Sequence, residues 1–387
     1  MSKAICKLQS TGITIDSAAS LVKPCCHFDP HQTLDIPDIS EIDNFEQVLT
    51  SSLTRWIKKQ TKRGNIPQCN TCWDREKSNL QSRRLWYNTK IDGTGDKVEN
   101  LQIALDYTCN LMCRICAPKH SSKWNSAKET VKELREITGQ PVYQTNPIKQ
   151  NYSQNLKRVI ENSDLSNLKT VELIGGEPFY SKNFNWIIET LYEKADPKKL
   201  EFSTVTNCTI MPQKDIIAKM VKFKWVNIKA SIDGLGPLAE STRYGVDWQT
   251  IDNNIKEWAK LHKRANWGKV EIRANPTVSI LNVNKLQEIC DYFDKFDIRV
   301  APHALRGPEW LCLEQLPLHV REKWKVNYWH PYQNKQFYNI VTSERKVKNK
   351  LDQFLQSTHV LDNHYGSSFK ECNPEIYELA ERYANVG

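Results

Sequence analysis

Residues 106–116 read Asp-Tyr-Thr-Cys-Asn-Leu-Met-Cys-Arg-Ile-Cys and set Cys109, Cys113 and Cys116 in a C-x3-C-x2-C spacing. The apolar run Leu101 to Tyr107 just before them predicts a β-strand, so the thiols belong to the loop at that strand's end. Three thiolates within eight residues can hold three corners of a cubic iron–sulfur cluster and leave the fourth iron without a protein ligand. An open metal position is where a substrate or cosubstrate binds. A zinc site built from the CxxC pairs Cys69/Cys72 and Cys113/Cys116 is the competing reading, and it leaves Cys109 unused.

About one βα unit later, residues 171–178 read Val-Glu-Leu-Ile-Gly-Gly-Glu-Pro, a short apolar strand running into Gly175, Gly176, Glu177 and Pro178. Glycines at a strand end let a ligand approach the backbone closely, and a carboxylate there accepts hydrogen bonds from an ammonium group. Together the three-cysteine loop and this turn resemble the radical S-adenosylmethionine (radical SAM) superfamily, whose signature places an aromatic residue where Ile115 stands. The resemblance implies that Cys109, Cys113 and Cys116 bind a 4Fe-4S cluster and that the Gly-Gly-Glu-Pro turn contacts the amino group of S-adenosyl-L-methionine. It also implies reductive cleavage of that sulfonium to a 5′-deoxyadenosyl radical, with electrons from a flavodoxin- or ferredoxin-type donor.

Further stretches match strand by strand. Thr206-Asn207-Cys208 stands where relatives carry Thr-Asn-Gly, with Cys208 in the glycine's place. Ser231-Ile232-Asp233-Gly234 and the Ser-Thr-Arg-Tyr-Gly stretch around Arg243 resemble the peptide-modifying and sulfatase-maturating branch. The resemblance implies cofactor contacts for Asn207, Ser231, Asp233 and Arg243. Asn275, Thr277 and Asn282 are expected to face the adenine or ribose. A strand-end cap or a surface ion pair is the alternative for Ser231 and Arg243.

Near the start, Pro24-Cys25-Cys26 and Pro67-Gln68-Cys69-Asn70-Thr71-Cys72 resemble pieces of the SPASM and twitch auxiliary-cluster modules, which in relatives follow the barrel. The implied ligands of an auxiliary Fe-S cluster are Cys25, Cys69 and Cys72, with Cys6 or Cys26 as the fourth; a structural zinc is the alternative. Cys290 reads as core and Cys312 as a candidate hydrogen donor or extra ligand.

Bulk properties bound these readings. The chain has 387 residues, 12 cysteines, 39% hydrophobic content and a formal charge of +9, with a mean hydropathy of −0.61. No uninterrupted apolar run of membrane-spanning length and no signal-peptide pattern is found, so the expectation is a cytoplasmic protein with no membrane partner. Clustered cysteines in a chain this long point to metal ligation rather than a disulfide framework.

The expected fold is α/β: a partial (β/α)6 TIM-like barrel over residues 96–310, an N-terminal cysteine-rich module over 1–95 and a helical C-terminal extension over 311–387. Strands are predicted at 101–107, 170–174, 200–206, 225–232, 269–278 and 297–302, and an insertion at 118–167 carries two helices. Strand signals are sparse before residue 95, where one helix is predicted from Ile42 to Lys62. Residues 318–350 interleave Trp324, Tyr328, Trp329, Tyr332, Phe337 and Tyr338 with eight Lys and Arg against two acids. That composition suits a nucleic-acid groove, but the preferred reading is an amphipathic helix packing its aromatics on the barrel with its charges facing water. The functional expectation is a radical SAM enzyme acting on a peptide or protein. The alternatives are a small-molecule substrate, such as a carbohydrate or nucleotide precursor, and a non-catalytic iron-sulfur nucleic-acid-binding protein.

Overall fold

The computed structural model describes residues 5–16, 20–30, 34–77, 81–140, 151–264 and 269–384. Residues 141–150 of the predicted insertion lie outside the described residues. The chain is mixed α/β with a large parallel sheet. In chain order the strands are β1 Gly12–Ile15, β2 Val22–Lys23, β3 Asn100–Ala104, β4 Met112–Cys113, β5 Thr170–Ile174, β6 Glu201–Thr206, β7 Trp225–Ala230, β8 Arg243–Tyr244, β9 Val270–Ala274, β10 Thr277–Val278, β11 Arg299–Val300 and β12 His303–Ala304. One compact unit comprises Met1–Tyr107, Pro147–Thr204 and Pro212–Asn227; the other comprises Thr108–Asn146, Val205–Met211 and Ile228–Gly387.

In the first unit β1, β3, β5 and β6 pair in parallel, and β2 adds antiparallel to β1. The register sets Gly12 beside Asn100, Asn100 beside Thr170 and Thr170 beside Glu201. Leu101, Ile103, Val171, Leu173 and Phe202 are buried, and the helix Asn183–Lys194 contributes Phe184, Ile187, Ile188 and Leu191 to the same unit's core. Each such side chain contributes roughly 1.5–3 kcal/mol on burial. The N-terminal stretch also forms the helices Ser52–Arg63, Asn70–Lys77 and Arg83–Asn88. A small core of Phe28, Ile36, Ile57 and Ile66 lies among its residues.

In the second unit successive strand ends are linked by backbone bonds from Ser231 N to Thr206 O (2.8 Å), Asn275 N to Ala230 O (2.7 Å) and Ala301 N to Ala274 O (2.8 Å). The ends of β6, β7, β9 and β11 therefore lie side by side. The helix Trp248–Arg264 buries Ile251, Ile255 and Trp258, and the helix Leu286–Asp294 buries Leu286, Ile289, Cys290 and Phe293. Among the described residues no strand follows Ala304, and the long helix there is Leu351–Tyr365.

Three differences from the sequence reading have physical reasons. The helix predicted at Ile42 to Lys62 is two helices, Phe45–Leu49 and Ser52–Arg63, because Ser51 turns extended and its hydroxyl accepts the Thr54 amide at 3.1 Å as an N-cap. The strand predicted at 269–278 breaks into β9 and β10, since Pro276 has no N–H for the ladder. The sparse strand signal before residue 95 hides β1, whose four residues are too short to show a period. Among the described residues no helix is long and apolar enough to cross a membrane.

Candidate active site

The three-cysteine loop is built in the second unit. Cys109, Leu111 and Cys113 form a buried cluster packed by Ile115, Cys116 and Val246, so the apolar residues between the cysteines draw the three thiols into one patch. The loop is fixed through its backbone. Ser122 Oγ accepts the Cys109 amide (3.1 Å), Ser121 Oγ donates to Leu111 O (2.6 Å), and β4 pairs antiparallel with β8, Cys113 opposite Arg243. Gly245 has φ +97°, and a Cβ there would lie 3.1 Å from Asn110 O, so only glycine fits against the loop without strain. Burial pushes the Cys116 thiol up to about 11 and raises Cys113 further, with Arg243 pulling both the other way. Soft thiol donors of this kind suit an iron–sulfur centre, whose cationic core stabilises thiolates.

Arg114, only 1% exposed, anchors the loop from behind. Its guanidinium pairs with Asp362, donates from Nε to Ser241 O (2.8 Å) and from Nη1 to Thr358 O (3.4 Å), and lies over the rings of Tyr365 and Phe369. Tyr365 donates its hydroxyl to Met112 O (2.6 Å) and stacks on Tyr244 with centroids 4.5 Å apart. The helix Leu351–Tyr365 thus clamps the loop. Sequence reasoning missed Arg114, Asp362 and Tyr365; their only local signal is a charged residue inside an otherwise apolar cysteine run.

The strand-end residues converge on the same loop. Asn207 donates to Asn110 Oδ1 (3.0 Å) and accepts from Thr209 N (2.9 Å) and Thr209 Oγ1 (2.6 Å), while Asn110 donates to Thr209 Oγ1 (2.9 Å). Here Asn207 ties the end of β6 to the cysteine loop. Cys208 takes the left-handed conformation at φ +61° with its side chain fully buried, keeping the turn that a glycine would make. Its amide donates to Thr206 Oγ1 (3.0 Å) and its carbonyl accepts from Asn254 (2.9 Å).

Arg243 pairs through Nη2 with Asp233 Oδ2 at 2.5 Å and directs Nη1 at Cys113 Sγ, 3.9 Å away, while its Nε is buried without an acceptor. Asp233 also accepts the Thr277 amide at 2.7 Å. Ser231 is half-buried at the end of β7. Asn275 reaches His303 at 3.3 Å through Nδ2, and its Oδ1 is buried with no partner. Asn282 is fully buried and spends its amide on Asp233 O (2.9 Å), Thr277 O (3.1 Å) and the Ser279 amide (2.9 Å), so it braces the turn instead of facing a ligand.

The Gly-Gly-Glu-Pro turn belongs to the first unit. Gly175 has φ +148°, and a Cβ there would come within 2.5 Å of Asp106 O; Gly176 N donates to that same carbonyl at 3.0 Å. Glu177 is 1% exposed and caps a short turn through the Phe179 amide (3.1 Å), with Pro178 opening that turn.

Also in the first unit, Cys6, Cys25, Cys69 and Cys72 line one cavity together with Gln9, His27, Trp73, Arg83 and Arg84. Cys26 does not line it; its electrostatic neighbours are Arg83, Glu172 and Lys23. Burial and mutual repulsion push Cys6 up to about 12 and Cys69 to about 11. Gln9 donates to Cys69 Sγ at 3.5 Å. Helix Asn70–Lys77 is locked to helix Arg83–Asn88 by Glu76, which takes Arg84 and the Ser82 hydroxyl, while Arg84 stacks 4.1 Å over Trp73. Among the described residues no three His, Cys, Asp or Glu side chains converge on a single-ion position. The four cysteines share the lining of that one cavity. Cys312 donates to Leu305 O (3.4 Å) and is fully buried, which accounts for it within the fold.

No protein-family model matches the chain. Radical SAM cyclopropyl synthase TigE from Paramaledivibacter caminithermalis is 28% identical over 178 residues, covering 45% of this chain and 35% of the relative. The chain therefore spans about a third of the length of that curated relative. Among solved structures, Streptococcus suis SuiB bound to S-adenosylmethionine is 15% identical, covers 76% of this chain and 52% of its own, and has a TM-score of 0.34. Native anSMEcpe with bound AdoMet is 14% identical, with 71% and 62% covered and a TM-score of 0.36. These structural likenesses carry no weight of their own. Over those 178 residues the chain is similar to that radical SAM enzyme, and it carries the two motifs described above.

Proposed function

We propose that the chain cleaves S-adenosyl-L-methionine at a cluster held by Cys109, Cys113 and Cys116 and uses the resulting radical to abstract hydrogen from a peptide or protein side chain. The observation that carries the reading is the loop itself: two buried thiols and a third partly buried one packed together on one backbone segment, braced by Arg114, Asn207 and Tyr365. When bound, the cluster supplies the electron that breaks the sulfonium's C–S bond. The chain's own residues bind and orient. Glu177 is assigned the ammonium of the methionine moiety, Ser231 a ribose hydroxyl or the carboxylate, and the unpartnered Asn275 Oδ1 a donor on the adenosine. With both Nη groups committed, Arg243 offers Nε to the cofactor and holds Asp233 against the strand end.

The peptide substrate rests on the Ser231-Ile232-Asp233-Gly234 and Arg243-Tyr244-Gly245 stretches and their resemblance to the peptide-modifying branch. In the same reading residues 1–95 form a cysteine-rich module whose Cys6, Cys25, Cys69 and Cys72 hold an auxiliary cluster, residues 96–310 the barrel, and residues 311–387 a helical extension. An acidic flavodoxin- or ferredoxin-type protein is the proposed electron donor, matched to the basic net charge.

The test is anaerobic reconstitution with iron and sulfide, reduction with dithionite and measurement of 5′-deoxyadenosine. Its formation is expected, with loss in the Cys113→Ala chain; none in fully reconstituted protein would overturn the proposal. Deuterium passing into deoxyadenosine from a labelled sugar, and not from a peptide, would replace the peptide substrate with a small molecule.

A further inference from the structure

We infer that Arg83 sets the reduction potential of the N-terminal iron–sulfur centre by presenting a fixed positive charge to its sulfur ligands. The inference rests on the auxiliary-cluster reading of Cys6, Cys25, Cys69 and Cys72. Arg83 lines the same cavity as those four thiols. Its side chain is 17% exposed, and its Nε is buried with no hydrogen-bond partner. A guanidinium N–H without an acceptor beside a sulfur-lined cavity is suited to an anionic centre, since an unpaired buried donor is otherwise costly.

The charge is held from the opposite side by the sheet. Glu172 Oε2 lies 3.5 Å from Arg83 Nη2, and Tyr87 accepts from Nη2 at 3.3 Å with its ring 4.7 Å from the guanidinium carbon. Glu172 accepts from Gln102 Nε2 at 2.6 Å, and Gln102 accepts from Thr14 at 3.4 Å. The strand register places Thr14, Gln102 and Glu172 in one row across β1, β3 and β5. This row of buried polar side chains across the sheet fixes one carboxylate, and the carboxylate fixes the arginine. Electrostatic coupling of Arg83 to Cys25 and to Cys26 accompanies this geometry.

Reduction adds one negative charge to a cluster. A buried cation nearby favours the reduced form, and a nearby carboxylate opposes it. The two partners therefore act with opposite sign. The experiment uses the full chain with Cys109, Cys113 and Cys116 replaced by alanine, so that redox titration followed by electron paramagnetic resonance reads the N-terminal centre alone. Arg83→Gln is expected to lower the reduced-to-oxidised ratio at a fixed poise about tenfold, a midpoint about 59 mV more negative for a one-electron couple. Glu172→Gln moves the midpoint the other way, and Arg83→Lys stays near the parent. If iron is present and Arg83→Gln and Arg83→Lys shift alike, or neither shifts, the arginine only packs and the inference is overturned. Zinc in place of iron removes the auxiliary-cluster reading itself, and the inference with it.

Discussion

At the scale of single residues, the groups that matter most are those whose backbone or charge leaves no freedom. Glu201 illustrates the second kind. Burial works against its charge, but Lys90 at 2.8 Å and Lys224 at 2.9 Å outweigh it and hold the carboxyl below its usual value of 4.5. A carboxyl depressed in the folded state contributes stability above its unfolded value, and that contribution is lost as pH falls through the folded value. Below about pH 4.5 the parent chain is therefore expected to lose stability through this group, while Glu201→Gln flattens that part of the profile; acid unfolding of the two chains followed by circular dichroism checks it. Cys208 shows the first kind. The sequence marks it as a departure from glycine, yet its left-handed φ of +61° is visible only once Asn254 and Thr206 are seen to hold the turn.

Among elements, the helix Leu351–Tyr365 has a role that local sequence does not announce. Asp362 and Tyr365 act on Arg114 and Met112, and such long-range partners leave no periodic trace in either segment. Arg114→Met leaves Asp362 without its cation and is expected to cost about 3 kcal/mol, read as a lower thermal midpoint together with reduced iron uptake by the loop. Tyr365→Phe loses a single hydrogen bond and is expected to cost about 1 kcal/mol. The regular elements were more legible. The predicted strand Thr170 to Ile174 and helix Asn183 to Lys194 form with those bounds, because each carries a clean apolar pattern between turn residues. The strands predicted at 101–107, 225–232 and 297–302 stop earlier, at Ala104, Ala230 and Val300, and β1 went unseen.

For the whole molecule, cysteine clustering was legible in the residue order, but how the cysteines are partitioned was not. Spacing alone left Cys6 and Cys26 as equal candidates; Cys6 lines the cavity and Cys26 does not. The two proposed four-iron centres imply about eight irons per chain after reconstitution and about four when Cys109, Cys113 and Cys116 are alanine. Replacing Cys26 by Ser is expected to leave that count unchanged, whereas Cys6→Ser lowers it; colorimetric iron assay on the purified chains decides. The basic aromatic stretch divides on folding: Tyr328 and Phe337 are buried, while Trp329, Tyr332 and Tyr338 remain more than half exposed, so composition alone had overstated a continuous stacking surface.

The hydroxyl of Tyr365 meets a carbonyl 253 positions upstream, which has a consequence for biosynthesis. While the ribosome is still translating the intervening message, the cysteine loop exists without its clamp. A product truncated before Asp362 lacks both the donor to Met112 O and the carboxylate that pairs with Arg114.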